Sequence, residues 1–257
     1  MRMNVSIYEN LFLKYVRKFY TDDSSVHRNI ILKEKHSLHV RNNIIEISKG
    51  LKLTSEDIGL ATIIALFHDI GRFKQFSKYK TFDDSKSVNH AKYGIQVLEE
   101  EGFLENLEET EKSIVYTAIM NHNAIVLPEI EDKRMLLFCK LIRDADKLDV
   151  WNVILTENEK DENSDISLGF SNNTNFNPEI VKAIKKKKII DYKQITSALD
   201  FKLILLSWVY KINFDYTFNL IKKREVVKRI TETLPEIQEI QSIKEEILNY
   251  IDSRVVL

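Results

Sequence analysis

Histidine and aspartate recur in this chain at positions where several of them could bind one metal cluster. The residues of this series are His36, His68, Asp69, His90, His122 and Asp146. The chain has 6 histidines, and none follows His122. Imidazole and carboxylate groups are the ligands that hold divalent transition metals. Two such ions a few Å apart can activate water and clamp a phosphate group, so the series indicates a two-metal phosphohydrolase.

Two positions in the series have a nearby competitor. His39 lies three residues after His36 and shares its predicted helix face, so it is the alternative first ligand. Asp144 competes with Asp146 for the last ligand position. Asp149, one turn further on, could accept a hydrogen bond from a ligating histidine or could be a surface charge.

The two later histidines allow a second interpretation. His90 opens a predicted helix, where it could contact a phosphate group, and His122 lies near a helix end, where it could bind a carbonyl oxygen. We favour metal ligation for both. His27 has no motif around it, and we expect it to lie in a solvated loop.

The composition is typical of a helical globular protein. The chain has 257 residues, of which 44% are hydrophobic and 30% are charged. Its 6 glycines and 3 prolines are few for a β-sandwich or barrel, which needs many tight turns. The net charge of −1 gives no argument for a nucleic-acid surface. The single cysteine, Cys139, excludes an intrachain disulfide and lies in an apolar run, where a buried thiol is expected.

The chain contains no run long enough to span a membrane, since the longest apolar runs are far below about 18 residues. The N-terminus lacks a signal-peptide core and is predicted to form an amphipathic helix. We therefore expect a cytoplasmic protein.

The hydrophobic pattern predicts helices that deliver the series to one place. A nearly continuous apolar helix from Leu60 to Phe67 ends at the His68-Asp69 pair, as a buried central helix would. Residues 71–88 are expected to form a polar loop. Its aromatic residues, including Phe73, Phe76, Tyr79 and Phe82, could stack on a base or anchor the loop to the core.

The same pattern predicts three parts of the chain. Residues 1–155 would form the core that carries the metal site, with a long helix over 132–155 presenting Asp146. Residues 156–177, rich in Asn, Asp, Glu and Ser, are expected to be a polar loop or insert. Residues 178–257 would form C-terminal helices packed on the core, and their apolar segment from Leu203 to Phe218 could belong to the core or provide a homodimer face.

Successive strings of the sequence resemble the motifs of the HD superfamily. The strings are H-S-L-H-V (36–40), A-L-F-H-D-I-G-R-F (65–73), N-H-A-K-Y-G-I-Q-V-L (89–98), I-M-N-H-N (119–123) and L-I-R-D-A-D-K-L-D (141–149). The stretch from 73 to 90 and the later L-I-L-L-S-W-V-Y-K-I-N-F (203–214) are similar to a bacterial subgroup that is described only as HD hydrolases. The resemblance thus covers nearly the whole chain.

The resemblance implies an all-α helical bundle and a metal-dependent phosphohydrolase. It implies that Asp69 bridges the metal ions and that His36 and Asp146 complete the core site with His68. The extra histidines are similar to those that two-metal members use for the second ion. The ions would be one or two of Mn, Fe, Co, Ni or Zn, and the substrate a small phosphorylated molecule, in the first place a nucleotide.

Further roles follow from the same resemblance and from the need for positive charge near phosphate. Asp69, His68 and Arg72 are the predicted catalytic residues. Arg72, His90, Lys147 and Tyr79 are the predicted substrate contacts. The extra histidines favour a two-metal phosphodiesterase, although the glycine-tyrosine-proline motif of one phosphodiesterase branch is missing after the H-D pair. A nucleotidase acting on monophosphates, or a non-catalytic metal-containing regulator that binds nucleotides, therefore stays open as an alternative.

Overall fold

The computed structural model of the protein describes residues 4–158, 175–188, 190 and 194–255. Helices dominate these ranges, which contain no β-strand. The prediction of an all-α fold with additional C-terminal helices is therefore confirmed. The chain divides into two compact units, Met1–Asp149 and Val150–Leu257.

The first unit is a bundle in which the site-bearing helices pack in pairs. α2 packs along α3, α4 along α5, and α6 contacts both α3 and α5. α7 begins in this unit and continues past its boundary. The helices are α1 (Val5–Arg17), α2 (Ser24–Gly50), α3 (Ser55–Phe67), α4 (Ile70–Tyr79), α5 (His90–Glu100), α6 (Glu109–Asn121) and α7 (Lys133–Asn158).

The central helix α3 forms as its sequence predicts. Thr54 caps it by accepting a hydrogen bond from the backbone N–H of Asp57. Every residue from Gly59 to Phe67 is buried, so the helix is apolar on all sides. The Phe67 ring stacks on Phe103 and meets the edge of Phe12, which fixes the end of the helix in the core. A rigid helix end is thereby placed beside His68 and Asp69.

The expected loop over residues 71–88 is wrong in its first half, because α4 occupies Ile70–Tyr79. Phe73 and Phe76 lie one turn apart and are buried, so they pack this helix on the core. The helix ends at Lys80, which has a left-handed backbone conformation with φ of 55°. Only the segment after Lys80 is irregular, apart from a short 3-10 turn at Asp84–Lys86.

The second unit consists of short helices that pack around a separate apolar core. Pro178 starts the first of them, with Asn177 as its cap. Buried Asp200 accepts hydrogen bonds from the backbone of Asn177 and Thr196, and so ties two segments together. The helices are α8 (Pro178–Lys185), α9 (Ala198–Ser207), α10 (Asp215–Lys223), α11 (Val226–Glu232) and α12 (Gln238–Arg254).

Of the predicted polar segment 156–177, residues 159–174 lie outside the described residues, and the prediction is wrong for residues 156–158, which form the end of α7. The three-part division of the chain stays a prediction. Among the described helices, none has the length and apolar character needed to cross a membrane.

Candidate metal centre

The six residues of the series lie together in the first unit, with Asp69 between two pairs of histidines. Asp69 Oδ2 is 3.7 Å from His36 Nε2 and 3.9 Å from His68 Nε2. Asp69 Oδ1 is 3.4 Å from His90 Nε2 and 3.7 Å from His122 Nε2. Each carboxylate oxygen thus faces its own pair of imidazoles, which is the arrangement of a bridging ligand.

This division defines two half-sites. The first half-site consists of His36, His68, Asp146 and Asp69 Oδ2. Asp146 Oδ1 lies 3.2 Å from His36 Nε2 and 3.9 Å from His68 Nε2, so Asp146 faces the cluster, as the motif resemblance implies. The second half-site consists of His90, His122 and Asp69 Oδ1, with three protein groups rather than four.

Four helices and the turn between α3 and α4 bring these groups together. His36 lies in the middle of α2, and His68 and Asp69 form the junction of α3 with α4. His90 is the first residue of α5, where Asn89 caps the helix, and His122 follows the last residue of α6. The predicted helix positions of both residues are therefore confirmed.

Two of the four histidines are oriented by carboxylates outside the cluster. His36 Nδ1 is 2.7 Å from Asp149 Oδ2, and His90 Nδ1 is 2.6 Å from Asp84 Oδ2. An ionised carboxylate can only accept a hydrogen bond, so both Nδ1 atoms carry the proton. In the neutral form of each ring, Nε2 is then the nitrogen that carries the lone pair, and it points into the cluster.

The other two histidines are oriented by backbone carbonyls. His68 Nδ1 is 2.8 Å from the carbonyl oxygen of Ala65, and His122 Nδ1 is 2.6 Å from that of Ile119. A carbonyl oxygen also only accepts, so these Nδ1 atoms donate as well. All four imidazoles therefore turn Nε2 inward, and four different acceptors fix that choice.

The Nε2 distances fit a cation in each half-site. His68 Nε2 is 3.3 Å from His36 Nε2, and His90 Nε2 is 3.0 Å from His122 Nε2. Lone pairs that face each other at such distances repel unless a proton or a metal ion lies between them. Two nitrogens bound about 2.1 Å from one ion lie about 3.0 to 3.4 Å apart in octahedral or tetrahedral geometry. The donor set and its spacing thus fit divalent metal ions.

The charges around the first half-site favour a cation there. Burial and the nearby Lys33 ammonium lower the pKa of His36, but hydrogen bonds to Asp146 and Asp149 outweigh them and raise that pKa to about 9. The first half-site therefore favours a positive charge, which a proton on His36 supplies in the protein without metal. Burial also raises the pKa of Asp146, yet His36 and the other histidines hold it well below its usual range.

His68, His90 and Asp69 stay in metal-binding form at neutral pH. Burial lowers the pKa of His68 to about 4, and it likewise lowers that of His90 to about 4. Burial would raise the pKa of Asp69, but Lys33 and the neighbouring imidazoles hold it well below its usual range. Neutral imidazoles beside an ionised carboxylate are the protonation states that bind a metal.

The structure separates the alternatives for the first histidine. His36 is buried in the cluster, whereas the side chain of His39 is 51% exposed and its Nδ1 lies 3.1 Å from Asp149 Oδ1. Asp149 is buried and contacts both histidines, so it is not a surface charge. The expected loop position of His27 is wrong, because this residue lies in α2 with its ring against Tyr20.

The predicted substrate contacts lie around the cluster with other partners. Arg72 Nη1 donates to Gln75 Oε1 and Asp84 Oδ1, and Arg72 Nε is 3.5 Å from Asp69 Oδ1. Lys147 Nζ donates to the carbonyl oxygen of Arg143, one turn earlier in α7. Tyr79 is half-buried at the end of α4, where the Lys78 ammonium lies over its ring. Roles in substrate binding stay predictions for Arg72, His90, Lys147 and Tyr79.

Three residues outside the predicted ligand series also contact the cluster or its supports. Lys33, one turn before His36 on α2, places Nζ 2.9 Å from Asp69 Oδ2. Asp84 holds His90, as described above. Arg143 donates to the carbonyl oxygens of Asn121, His122 and Ala124, which close the end of α6. The spacing of Lys33 and His36 could have indicated the first of these, since both lie on one helix face.

The comparisons with known proteins agree with this geometry. The family model described as HD domain matches residues 34–151. No curated protein and no solved structure gave a significant match. The matched segment contains all six residues of the cluster together with Asp84 and Asp149. Residues 34–151 are therefore an HD domain, which indicates the superfamily of metal-dependent hydrolases.

Proposed function

We propose that this protein hydrolyses a phosphoester through a pair of divalent metal ions held at Asp69, with phosphodiesters as its preferred substrates. The observation that carries the proposal is the placement of Asp69. Its two oxygens face two separate histidine pairs, and every Nε2 atom of those pairs points inward. Two ions that shared this carboxylate would lie a few Å apart, which is the spacing that suits in-line displacement at phosphorus.

In this proposal the two half-sites would each hold one ion. His36, His68 and Asp146 would bind the first, His90 and His122 would bind the second, and Asp69 would bridge them. The ions would supply a hydroxide nucleophile at neutral pH and would offset negative charge on the phosphoryl oxygens. The second half-site has fewer protein ligands, so it leaves more positions for water and substrate.

We propose that two cations beside the cluster contact the phosphoryl oxygens. Lys33 Nζ contacts Asp69 Oδ2, and its side chain is 19% exposed, so it borders the cluster and still reaches solvent. Arg72 Nε is a buried donor without a hydrogen-bond partner among the described residues. Fixed donors at this position would stabilise charge that develops on the transferred group. We assign Lys33 and Arg72 to that role.

A nucleotide is the substrate class that the resemblance favours. The aromatic rings of residues 73–82 give limited room for base stacking, because Phe73 and Phe76 belong to the core. Phe82 is in contact with Phe76, and the Lys33 ammonium lies 5.4 Å from the centre of its ring. Tyr79 is the aromatic residue of this segment that we retain as a substrate contact.

The test is metal-dependent hydrolysis of a matched pair of substrates. Bis-p-nitrophenyl phosphate reports phosphodiester cleavage, and p-nitrophenyl phosphate reports monoester cleavage. Chelated protein is assayed with added Mn²⁺, Fe²⁺, Co²⁺, Ni²⁺ or Zn²⁺, next to the variants Asp69→Ala and His68→Ala. We expect diester cleavage to require added metal and to fall by more than about 100-fold in both variants. A loss of that size exceeds what is usual when only a residue that orients a metal ligand is replaced.

His27→Ala is the matched control, because it removes an imidazole that lies outside the cluster. This variant should keep full activity and the circular dichroism of the wild type. Cleavage of the monoester alone would replace the diesterase proposal with a nucleotidase. Full activity in folded Asp69→Ala would exclude catalysis at this site, and metal binding without hydrolysis of any phosphoester would favour the regulator.

A further inference from the structure

Asp84 lies outside the predicted ligand series, yet donors converge on both of its carboxylate oxygens. Oδ2 is 2.6 Å from His90 Nδ1 and 3.3 Å from the backbone nitrogen of the same residue. Oδ1 accepts from Arg72 Nη1 and from Gln75 Nε2, each at 2.9 Å.

We infer that Asp84 is a positioning residue that makes the second half-site able to hold an ion, while the first half-site does not depend on it. The inference rests on the proposed two-metal function. It concerns the tautomer of His90, because only a ring that donates from Nδ1 leaves a lone pair at Nε2 for the cluster.

The surroundings of Asp84 hold this carboxylate firmly in place. Gln75 is fully buried, and its amide also donates to Ser87 Oγ and to the carbonyl oxygen of Val88. Arg72 Nη1 donates to the carbonyl oxygen of Phe82 as well. The segment between α4 and α5 is thus fastened to α4, and Asp84 faces His90 at the start of α5.

The two half-sites depend on different outer carboxylates. His36 of the first half-site is held by Asp149 on α7, which has no part in the Asp84 contacts. The second half-site has one histidine held by a carbonyl oxygen, His122, and one held by Asp84. A change at Asp84 should therefore act on one ion and leave the other in place.

Asparagine is a discriminating replacement because it keeps the shape of the side chain but replaces one acceptor with a donor. The carbonyl end of the amide would face Arg72 and Gln75, since both present donors and one of them is charged. The amide –NH₂ would then face His90 Nδ1 and favour the ring tautomer that carries its proton on Nε2. That proton would block the lone pair that binds the metal.

The experiment measures metal stoichiometry and affinity rather than turnover. Chelated full-length protein is titrated with Mn²⁺ and with Co²⁺ by calorimetry, and bound metal is counted by mass spectrometry after equilibrium dialysis. We expect two ions in the wild type and a 10- to 100-fold weaker second ion in Asp84→Asn, with the first ion unchanged. In ¹⁵N-histidine NMR of the chelated protein, the His90 ring should change from the Nδ1–H to the Nε2–H tautomer.

Asp83→Asn is the matched control, since it removes the same charge from the neighbouring residue. Asp83 accepts hydrogen bonds from Ser85 and does not contact the cluster histidines. Two ions bound by Asp84→Asn with wild-type affinities would overturn the inference. Loss of both ions, or of the helical signal, would also overturn it, because Asp84 would then serve the fold as a whole. A wild-type protein that binds fewer than two ions would instead contradict the proposed two-metal function.

Discussion

At the scale of single residues, the choice of imidazole tautomer decides what this site can bind. Four acceptors outside the cluster take the Nδ1 protons, namely Asp149, Ala65, Asp84 and Ile119. The Nε2 atoms therefore face the interior of the cluster even when no ion is bound. Such preorganisation reduces the cost of ordering ligands when a metal binds.

The pair His36 and His39 gives a direct test of this assignment. We expect His36→Ala to abolish metal-dependent hydrolysis and to remove the first ion, because it deletes an inward Nε2 atom. His39→Ala should keep most of the activity, since this side chain is half exposed and meets only the outer carboxylate Asp149. Steady-state kinetics and metal counting on both variants provide the measurement. Equal losses in the two variants would contradict the assignment.

The thiol of Cys139 supports a second prediction at this scale. The residue is fully buried in α7, and burial raises the pKa of its thiol to about 11. A raised thiol pKa means that the reactive thiolate is scarce at every pH well below 11. We expect the folded protein to resist a disulfide reagent at pH 8 and to react with one equivalent in denaturant. Rapid labelling of the folded protein would contradict the predicted burial.

Four of the six motif residues could be placed from the sequence because each lies at the end or the start of a predicted helix, whereas His36 and Asp146 lie inside helices and are assigned from the motif resemblance. His68 and Asp69 end a run of buried residues, and His90 follows a capping asparagine. Lys33 and Asp84 could not be assigned in this way. Lys33 lies outside the motif strings. Asp84 contacts His90 because Gln75 of α4 holds the segment between α4 and α5 in place.

At the scale of helices, the contact between α4 and α5 sets the distance across the second half-site. Asp69 immediately precedes α4, and His90 is the first residue of α5. The two helices approach closely at Gly71 and Gly94. The sequence suggested a loop here because charged and polar residues alternate with the buried Ile70, Phe73 and Phe76. Packing of that narrow apolar stripe outweighs the polar composition.

Gly71→Ala tests whether this close approach is required. A Cβ atom at Gly71 would lie 2.3 Å from the carbonyl oxygen of His90 and 2.5 Å from the backbone nitrogen of Gly94. Backbone atoms cannot move aside as a side chain can, so α4 and α5 must separate. We expect a loss of at least about 2 kcal/mol in the free energy of unfolding, measured with denaturant, together with a weaker second ion.

Gly94→Ala is the natural comparison for that change. Its added Cβ would meet the Ile70 side chain at 3.3 Å, where a small adjustment relieves the contact. Alanine is also favoured over glycine inside a helix by about 0.5 to 1 kcal/mol. The second variant should therefore be clearly more stable than the first. Similar stability for both would show that the helices can separate at little cost.

At the scale of the whole molecule, every proposed metal ligand falls in one of the two compact units. The six residues lie within Met1–Asp149, as do Lys33, Asp84, Arg143 and the outer carboxylate Asp149. The carbonyl groups that Arg143 binds at the end of α6 belong to this unit as well. Metal binding should consequently stabilise this unit directly, because the ions bind a folded arrangement that the unfolded chain lacks.

The expected size of this effect can be measured by thermal unfolding and hydrogen exchange. One ion present at 100 times its dissociation constant adds about 2.7 kcal/mol to stability, which corresponds to about 5 to 10 °C in Tm for a domain of this size. Adding Mn²⁺ to chelated protein should raise Tm by at least that amount, and His68→Ala should lose most of the shift. Amide exchange should slow mainly in α2, α5, α6 and the part of α7 around Asp146, and at the junction of α3 with α4, because these segments hold the proposed ligands, and it should slow less in α9–α12. Protection confined to the second unit, or an equal Tm shift in the His68 variant, would place the bound metal outside the cluster around Asp69.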